Sequence, residues 1–306
     1  MADERRGNAK KTAISHADIT PRDVNIFRSL GPGPKTLTLL REALAMFEER
    51  RKDKTPLNHD LKIAALKTRV HKLRKANYIK SRRYRSRDGK AFALYALTPA
   101  SVEVLKTERY PIKLIRTAFP HENTVTHEML VIKVVERYWK EPKIFEKNGR
   151  TMEMRLKFID ENAMKSSSKG GKKGWRYPDL LTTLIFDFDD ETRQELDLAV
   201  EIDNNTMAPD RVFAKVKSMF ERTNHATIML CTNVARFNEL RSWFKEEIER
   251  LFQKAKSYEE RKKLTDLLKN VAFGIHDDFL RDGFRKTEWK MIDERITTVI
   301  PGDFAD

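Results

Sequence analysis

Residues 175–203 read WRYPDLLTTLIFDFDDETRQELDLAVEID. Two apolar runs rich in β-branched and aromatic residues, WRYPDLLTTLIF and ELDLAVEID, flank the acidic turn DFDDETRQ, so the stretch is predicted to be a β-hairpin. The start of the first strand of a hairpin lies beside the end of the second, which makes Asp179 and Glu201 neighbours across 22 positions of sequence. Neighbouring carboxylates repel, and one pKa rises unless a cation intervenes. Mg²⁺ suits such a pair because it accepts one or two carboxylates and keeps waters for substrate oxygens. Lys215 or Lys217 on the following helix can orient a water or stabilise charge on a phosphate. The alternative is structural: Asp179, after Pro178, shapes the start of the strand, and Glu201 pairs with Lys215 in a plain salt bridge.

Outward from the hairpin, MEMRLKFI (152–159) alternates as a strand, and KSSSKGGKKG (165–174) is a Gly/Ser/Lys loop. That loop lacks the GxxxxGK[ST] spacing of a nucleotide-binding loop and has no buried strand immediately before it. Upstream, 124–140 is an amphipathic helix marked by Val131, Ile132, Val135 and Trp139. Glu128 shares its apolar side, where a carboxylate needs a partner: an arginine, a backbone amide, a metal or a basic catalytic group. Downstream, 210–222 is helical and ATIMLCT (226–232) is a strand. The predicted order from Thr124 is helix, strand, strand, strand, helix, strand. Beyond it, 237–252 and a helix opened by the capping pair Ser257 and Glu260 follow, with NVAFGIH (270–276) as a further strand.

The first third has a different character. Of 61 Lys plus Arg and 46 Asp plus Glu in 306 residues, 24 basic and 10 acidic residues fall in 1–100, a balance of +14 against +1 for the rest. Such asymmetry points to a polyanionic partner for this third. Residues 1–18 form an expected flexible arm. Thr20-Pro21 with Asp23 starts a helix that ends at Leu30 before GPGP, and a second helix runs through LTLLREALAMF (37–47). A third covers about 58–77, with Ile63, Leu66, Val70 and Leu73 on its apolar stripe and Ala65, Thr68, Lys72 and Lys75 opposite. YIKSRRYRSRDGKAFALYALTP (78–99) then reads as two strands joined at Arg87-Asp88-Gly89-Lys90. Three helices and an arginine-rich hairpin are the elements of a winged helix-turn-helix, here assigned to 19–110. Its candidate contacts to double-stranded DNA are Thr68, Arg69, Lys72, Lys75, Arg82, Arg83, Arg85 and Arg87. One cysteine, Cys231, excludes an internal disulfide framework and a cysteine-built zinc site. No secretory signal or membrane-spanning run is read, so a cytoplasmic location is expected.

The segments HENTVTHE (121–128), WRYPDLLTT (175–183) and AVEIDNNT (199–206), behind a wing ending in YALTP, resemble the replication-relaxation protein family of bacterial plasmids and mobile elements. The resemblance covers about residues 20–232. It implies a winged helix-turn-helix joined to a PD-(D/E)XK nuclease-like α/β core, here 120–306 with a helical C-terminal extension. By position, Pro178-Asp179 matches the PD element, Glu201 the acid of the second motif, and Glu128 the acid such cores place on their first helix. The usual lysine two residues after that acid is absent, since Asp203 stands there, and Asn204-Asn205 replaces a more usual glycine. The implied function is DNA binding in plasmid replication, relaxation or mobilisation, in company with plasmid replication or mobilisation proteins. An added Mg²⁺- or Mn²⁺-dependent nicking activity would use Asp179 and Glu201 as metal ligands. The alternative is a transcriptional or copy-number regulator with a catalytically inactive core.

Overall fold

A computed structural model describes residues 19–49, 63–85, 89–110, 115–161, 164, 177–223 and 225–301. The expected arm (1–18), the turn residues Arg87 and Asp88, and the loop 165–174 lie outside the described residues. The fold is mixed α and β, and the chain divides into two compact units, 1–125 and 126–306.

In the first unit, α1 (Pro21–Leu30) starts where the sequence predicts. The Asp23 backbone N–H donates to Thr20 Oγ1 at 3.3 Å, and Asp23 Oδ2 accepts from the Thr20 N–H at 2.8 Å. Helices α2 (Leu37–Glu49) and α3 (Ile63–Lys75) follow. Their apolar sides close with α1 over Phe27, Leu30, Leu40, Leu66, Val70 and Leu73. Ile63, expected on that stripe, is the first residue of α3 and stays 41% exposed. Asn77 closes α3 at φ +63°, and the Tyr78 N–H reaches back to the Leu73 carbonyl at 2.9 Å, a left-handed cap that sends the chain directly into a strand. Strands β1 (Ile79–Arg85) and β2 (Ala91–Leu97) pair antiparallel, and Lys35 bridges to Tyr95 on the open side of β2. A further helix, α4 (Pro99–Thr107), was not expected from the sequence, although Thr98-Pro99 repeats the Thr20-Pro21 signature.

The second unit is one eight-stranded mixed sheet, in the order β10-β9-β8-β7-β6-β5-β4-β3. After α5 (Val125–Lys140), the strands β3 (Ile144–Lys147), β4 (Arg150–Asp160), β5 (Leu180–Phe188) and β6 (Arg193–Asp203) run as an antiparallel meander. Helix α6 (Pro209–Thr223) then leads to β7 (Ala226–Cys231), parallel to β6. Helices α7 (Val234–Lys254) and α8 (Tyr258–Asn270) precede β8 (Val271–Ile275), parallel to β7. Helix α9 (His276–Lys286) and the antiparallel strands β9 (Trp289–Met291) and β10 (Ile296–Thr297) end the sheet. The C-terminal part is thus no helical appendage, because β8, β9 and β10 complete the same sheet.

The period-two alternation of β6 sorts two cores. Leu198, Val200 and Ile202 pack with Val131, Val134 and Val135 of α5 and Phe279 and Phe284 of α9. Ala199 faces the other way, among Val212 and Val216 of α6, Leu240 and Phe244 of α7 and Leu267 of α8. Helices on both faces explain why the end of β6 is apolar without a break except at Glu201 and Asp203.

Helix α9 kinks at Gly283, which has φ +72°. The Phe284 N–H freed by the kink donates to buried Glu141 Oε1 at 2.9 Å, and Arg137 lies 3.6 Å from that carboxylate. A Cβ on Gly283 would fall on both the Arg137 guanidinium and the Glu141 carboxylate, whereas one on Gly149, at φ +76°, meets nothing within 4 Å. Gly283→Ala is therefore expected to lower stability by at least about 2 kcal/mol and Gly149→Ala by about 1 kcal/mol. Denaturant midpoints of the two variants check this, and equal losses would remove the kink from the account.

Candidate functional site

The hairpin register decides which acids meet. Leu180 pairs with Val200, which sets Asp179 opposite Glu201 at the next position, and both are only 4% exposed. Asp179 Oδ2 accepts the Ile202 backbone N–H at 2.8 Å. Its Oδ1 lies 3.0 Å from Nε2 of His127 on α5. From α6, Lys215 Nζ donates to Glu201 Oε2 at 2.6 Å and sits 3.7 Å from Asp179 Oδ1. Glu201 Oε1 is buried with no hydrogen-bond partner among the described residues.

Each ionisation follows from these contacts. Burial pushes the Asp179 carboxyl up, but the His127 hydrogen bond, the Lys215 charge and the Ile202 N–H outweigh it and hold the group below its ordinary value. Burial and the charge of Asp179 drive Glu201 up to about 8, against the pull of Lys215. Lys215 is raised, because Glu201 and Asp179 together overcome the desolvation that would lower it. His127 is raised as well, its burial offset by the hydrogen bond to Asp179. Of the two carboxyls, Asp179 is thus the one that ionises more readily and Glu201 the one that takes up a proton first.

The expected residues are distributed as follows. Asp179, Glu201 and Lys215 come together. Lys217, two positions along α6, points elsewhere and lies 3.9 Å from Glu221. Glu128 is half-buried, and it is the adjacent His127 that bonds Asp179. Asp203 forms a buried pair with Arg236 of α7, with Nε to Oδ2 at 2.8 Å, and accepts the Asn205 N–H at 3.1 Å. Asn205 adopts φ +58°, the left-handed conformation that asparagine tolerates in place of glycine. Two contributors escaped the sequence reading. His127 sits one turn before Val131 on the buried side of α5 and was legible there. Glu161 was not, since its link is the backbone bond of its N–H to the Asp179 carbonyl at 3.1 Å, with a field that also favours the Lys215 cation.

In the first unit, Thr68, Lys72 and Lys75 are exposed on α3, and Arg82, Arg83 and Arg85 on β1. Arg69 is placed differently: its Nε lies 2.6 Å from Oδ1 of fully buried Asp23, so its guanidinium ties α3 to the first turn of α1. Arg82 stacks over the Tyr84 ring at 5.4 Å and lies 3.9 Å from Glu122. Lys72, Lys75, Arg83 and Arg85 have no ion-pair partner among the described residues. Arg87 lies outside them.

Among the described residues no group of three or more His, Cys, Asp or Glu is arranged to hold a metal ion, and no helix is long and apolar enough to cross a membrane. Comparison of the chain with protein-family models, curated proteins and solved structures returns no match.

The raised groups set the sign of a pH effect. Glu201 and His127 both hold protons more tightly folded than unfolded, so their contribution is complete at low pH and is lost as pH rises through the folded values. Between about pH 5 and 8, Glu201→Gln should flatten the fall of stability with pH by up to about 1.4 kcal/mol per pH unit. Urea midpoints across that range, in EDTA, test this. Parallel pH profiles for wild type and variant would show that Glu201 is not the group that retains the proton.

Proposed function

We propose that this chain is a duplex-DNA-binding protein of a bacterial plasmid or mobile element, acting in replication, relaxation or mobilisation, and that its first unit holds the DNA as a winged helix-turn-helix does. The carrying observation is that Lys72, Lys75, Arg83 and Arg85, on consecutive elements, are exposed without ion-pair partners among the described residues. Residues 1–100 also carry +14 of the net charge, whereas in the second unit Arg155, Arg193, Arg236, Arg250, Arg281 and Arg295 are matched by carboxylates and Arg261, Lys262, Lys263 and Lys269 are exposed without an ion-pair partner among the described residues. The order α1, α2, α3, β1, β2 and the Lys35 to Tyr95 bridge beside the hairpin also support the reading. For the second unit, the order α5, β3, β4, β5, β6, α6, β7, which adds β3 to the expected one, with Asp179 just before β5 facing Glu201 on β6, supports a PD-(D/E)XK-like core. Plasmid replication or mobilisation proteins are the partners this reading implies.

If about five phosphates are neutralised, binding should fall with a log-log salt slope of about −4 to −5. Replacing Arg82, Arg83 and Arg85 together by Gln should flatten it by two or more, roughly one per phosphate lost. Anisotropy titrations of a labelled duplex at several salt concentrations give both numbers. A slope untouched by the triple change would exclude the hairpin from the interface.

A second reading, metal-dependent nicking, is favoured by Glu201 Oε1, a buried carboxylate oxygen with no partner beside a second carboxylate. Oxygen donors of this kind fit a hard ion. Asp179 and Glu201 would hold Mg²⁺ or Mn²⁺, which when bound supplies charge to a phosphate oxygen and lowers the pKa of a water. Lys215 meanwhile neutralises the pair, and His127 keeps a proton at Asp179 Oδ1. Supercoiled plasmid incubated with the protein in Mg²⁺, Mn²⁺ or EDTA separates the readings. Nicking that needs the ion and vanishes in Asp179→Asn establishes the enzyme. Equal DNA retention by both proteins without cleavage leaves a binding protein, such as a copy-number or transcriptional regulator.

A further inference from the structure

Helix α3 presents two polar stripes at i, i+4, i+7 spacing. Thr68, Lys72 and Lys75 form one. Lys67, His71 and Arg74 form the other, about 100° round the helix on the side of the hairpin. The second stripe borders a concave surface: Lys67, Thr68, Val70, His71 and Arg74 of α3 and Tyr95 of β2 line a cleft of about 330 Å³.

Three properties of this cleft select its ligand. Among the described residues no acid lines it, and neither Lys67 nor Arg74 has an ion-pair partner. Arg74 is nevertheless held in place: NH1 donates to Ser81 Oγ of β1 at 3.1 Å, and NH2 lies 3.4 Å from His71 Nδ1. A guanidinium fixed without a carboxylate keeps N–H groups for another oxygen acceptor at little further loss of side-chain freedom. The floor is Val70, buried at 1%, which lowers the local dielectric beneath the cations. A fixed guanidinium, a lysine ammonium, an imidazole and a phenol around an apolar floor complement a singly charged tetrahedral oxyanion.

We propose that this cleft seats a backbone phosphodiester of duplex DNA, so that α3 is anchored by Lys67, His71 and Arg74 on its hairpin side. The proposal rests on the DNA-binding reading above and assigns that reading a contact which Lys72 and Lys75, outside the cleft lining, do not make. Since the contact is to the backbone, its loss weakens all sequences alike.

The test uses the full chain and a labelled duplex of mixed sequence, with the variant Lys67→Gln/Arg74→Gln beside Lys72→Gln/Lys75→Gln and the hairpin triple variant. The cleft variant should weaken binding about tenfold or more at about 100 mM salt and reduce the salt slope by about 1. Arg74→Lys, which keeps the charge but not the fork, should weaken binding with the slope retained. Unchanged thermal midpoints show that the variants fold. If the cleft variant binds with wild-type affinity and slope while the hairpin variant is impaired, the cleft assignment falls and the DNA reading stands. If wild type retains no duplex even at low salt, the DNA reading itself falls. Calorimetry with inorganic phosphate provides the remaining arm: saturable phosphate binding abolished by Lys67→Gln/Arg74→Gln, with DNA affinity unaffected by either, would make this a site for a free anion and overturn the proposal.

Discussion

Two carboxylates forced together by strand register constrain the second unit more than any apolar contact. Once Leu180 pairs with Val200, Asp179 and Glu201 face each other, each at 4% exposure. An isolated buried carboxylate is expensive, and a second one beside it adds Coulomb repulsion that low-dielectric surroundings barely screen. Relief has to come from cations on other elements. Lys215 links α6 to the end of β6, and His127 links α5 to the start of β5. One electrostatic problem thereby fixes the docking of helices that belong to opposite faces of the sheet. The remaining repulsion appears as the upward shift of the Glu201 carboxyl.

A second buried pair, Asp203 with Arg236, repeats the logic one turn of the strand pleat further on and has no counterpart of the orphan oxygen. The Asp203 carboxylate is met by a guanidinium fork and by the Asn205 N–H, so its demands are satisfied within the fold. Glu201 is met on one oxygen alone. Two acids on the same strand, both buried, therefore differ in whether they can accept anything more. Asp203 thus gives a structural tie to α7.

Local chemistry made much of the fold legible. Thr20-Pro21 with Asp23, and Ser257 with Glu260, are caps whose bonds form within three residues, and both appear where the sequence places them. The pairing of Asp179 with Glu201 was readable because hairpin geometry converts sequence distance into register. Some signals were present and passed over: Asn148-Gly149, at φ +54° and +76°, is the turn that creates β3, and Thr98-Pro99 opens α4. Others lie beyond any local pattern. Strands β9 and β10, of 3 and 2 residues, exist because β8 offers an edge to β9 and β9 one to β10. Lys215 and Lys217 flank the same buried stripe of α6, and only the path of α6 across the sheet determines which reaches the acids. For Arg69, periodicity gives a half-exposed position and cannot reveal that Asp23 waits across 46 residues.

The two units treat charge in opposite ways, and the net +15 conceals this. In the second unit, acids and bases nearly cancel by count, and many are paired across neighbouring strands, as in the Arg155, Asp187, Arg193 ladder. Exposed pairs of this kind add little stability, yet they leave little uncompensated field at the surface. In the first unit, the buried acid Asp23 is answered from inside by Arg69, which removes one cation from the surface, while Lys72, Lys75, Arg83 and Arg85 have no ion-pair partner among the described residues. Cations without partners on one helix and one strand repel each other at all times, a small but standing penalty to the folded unit. A polyanion relieves that penalty on binding and releases its own counterions as it does so. The charge pattern that is mildly unfavourable to the isolated unit is thus a source of its binding free energy, whereas in the second unit acids and bases nearly cancel by count.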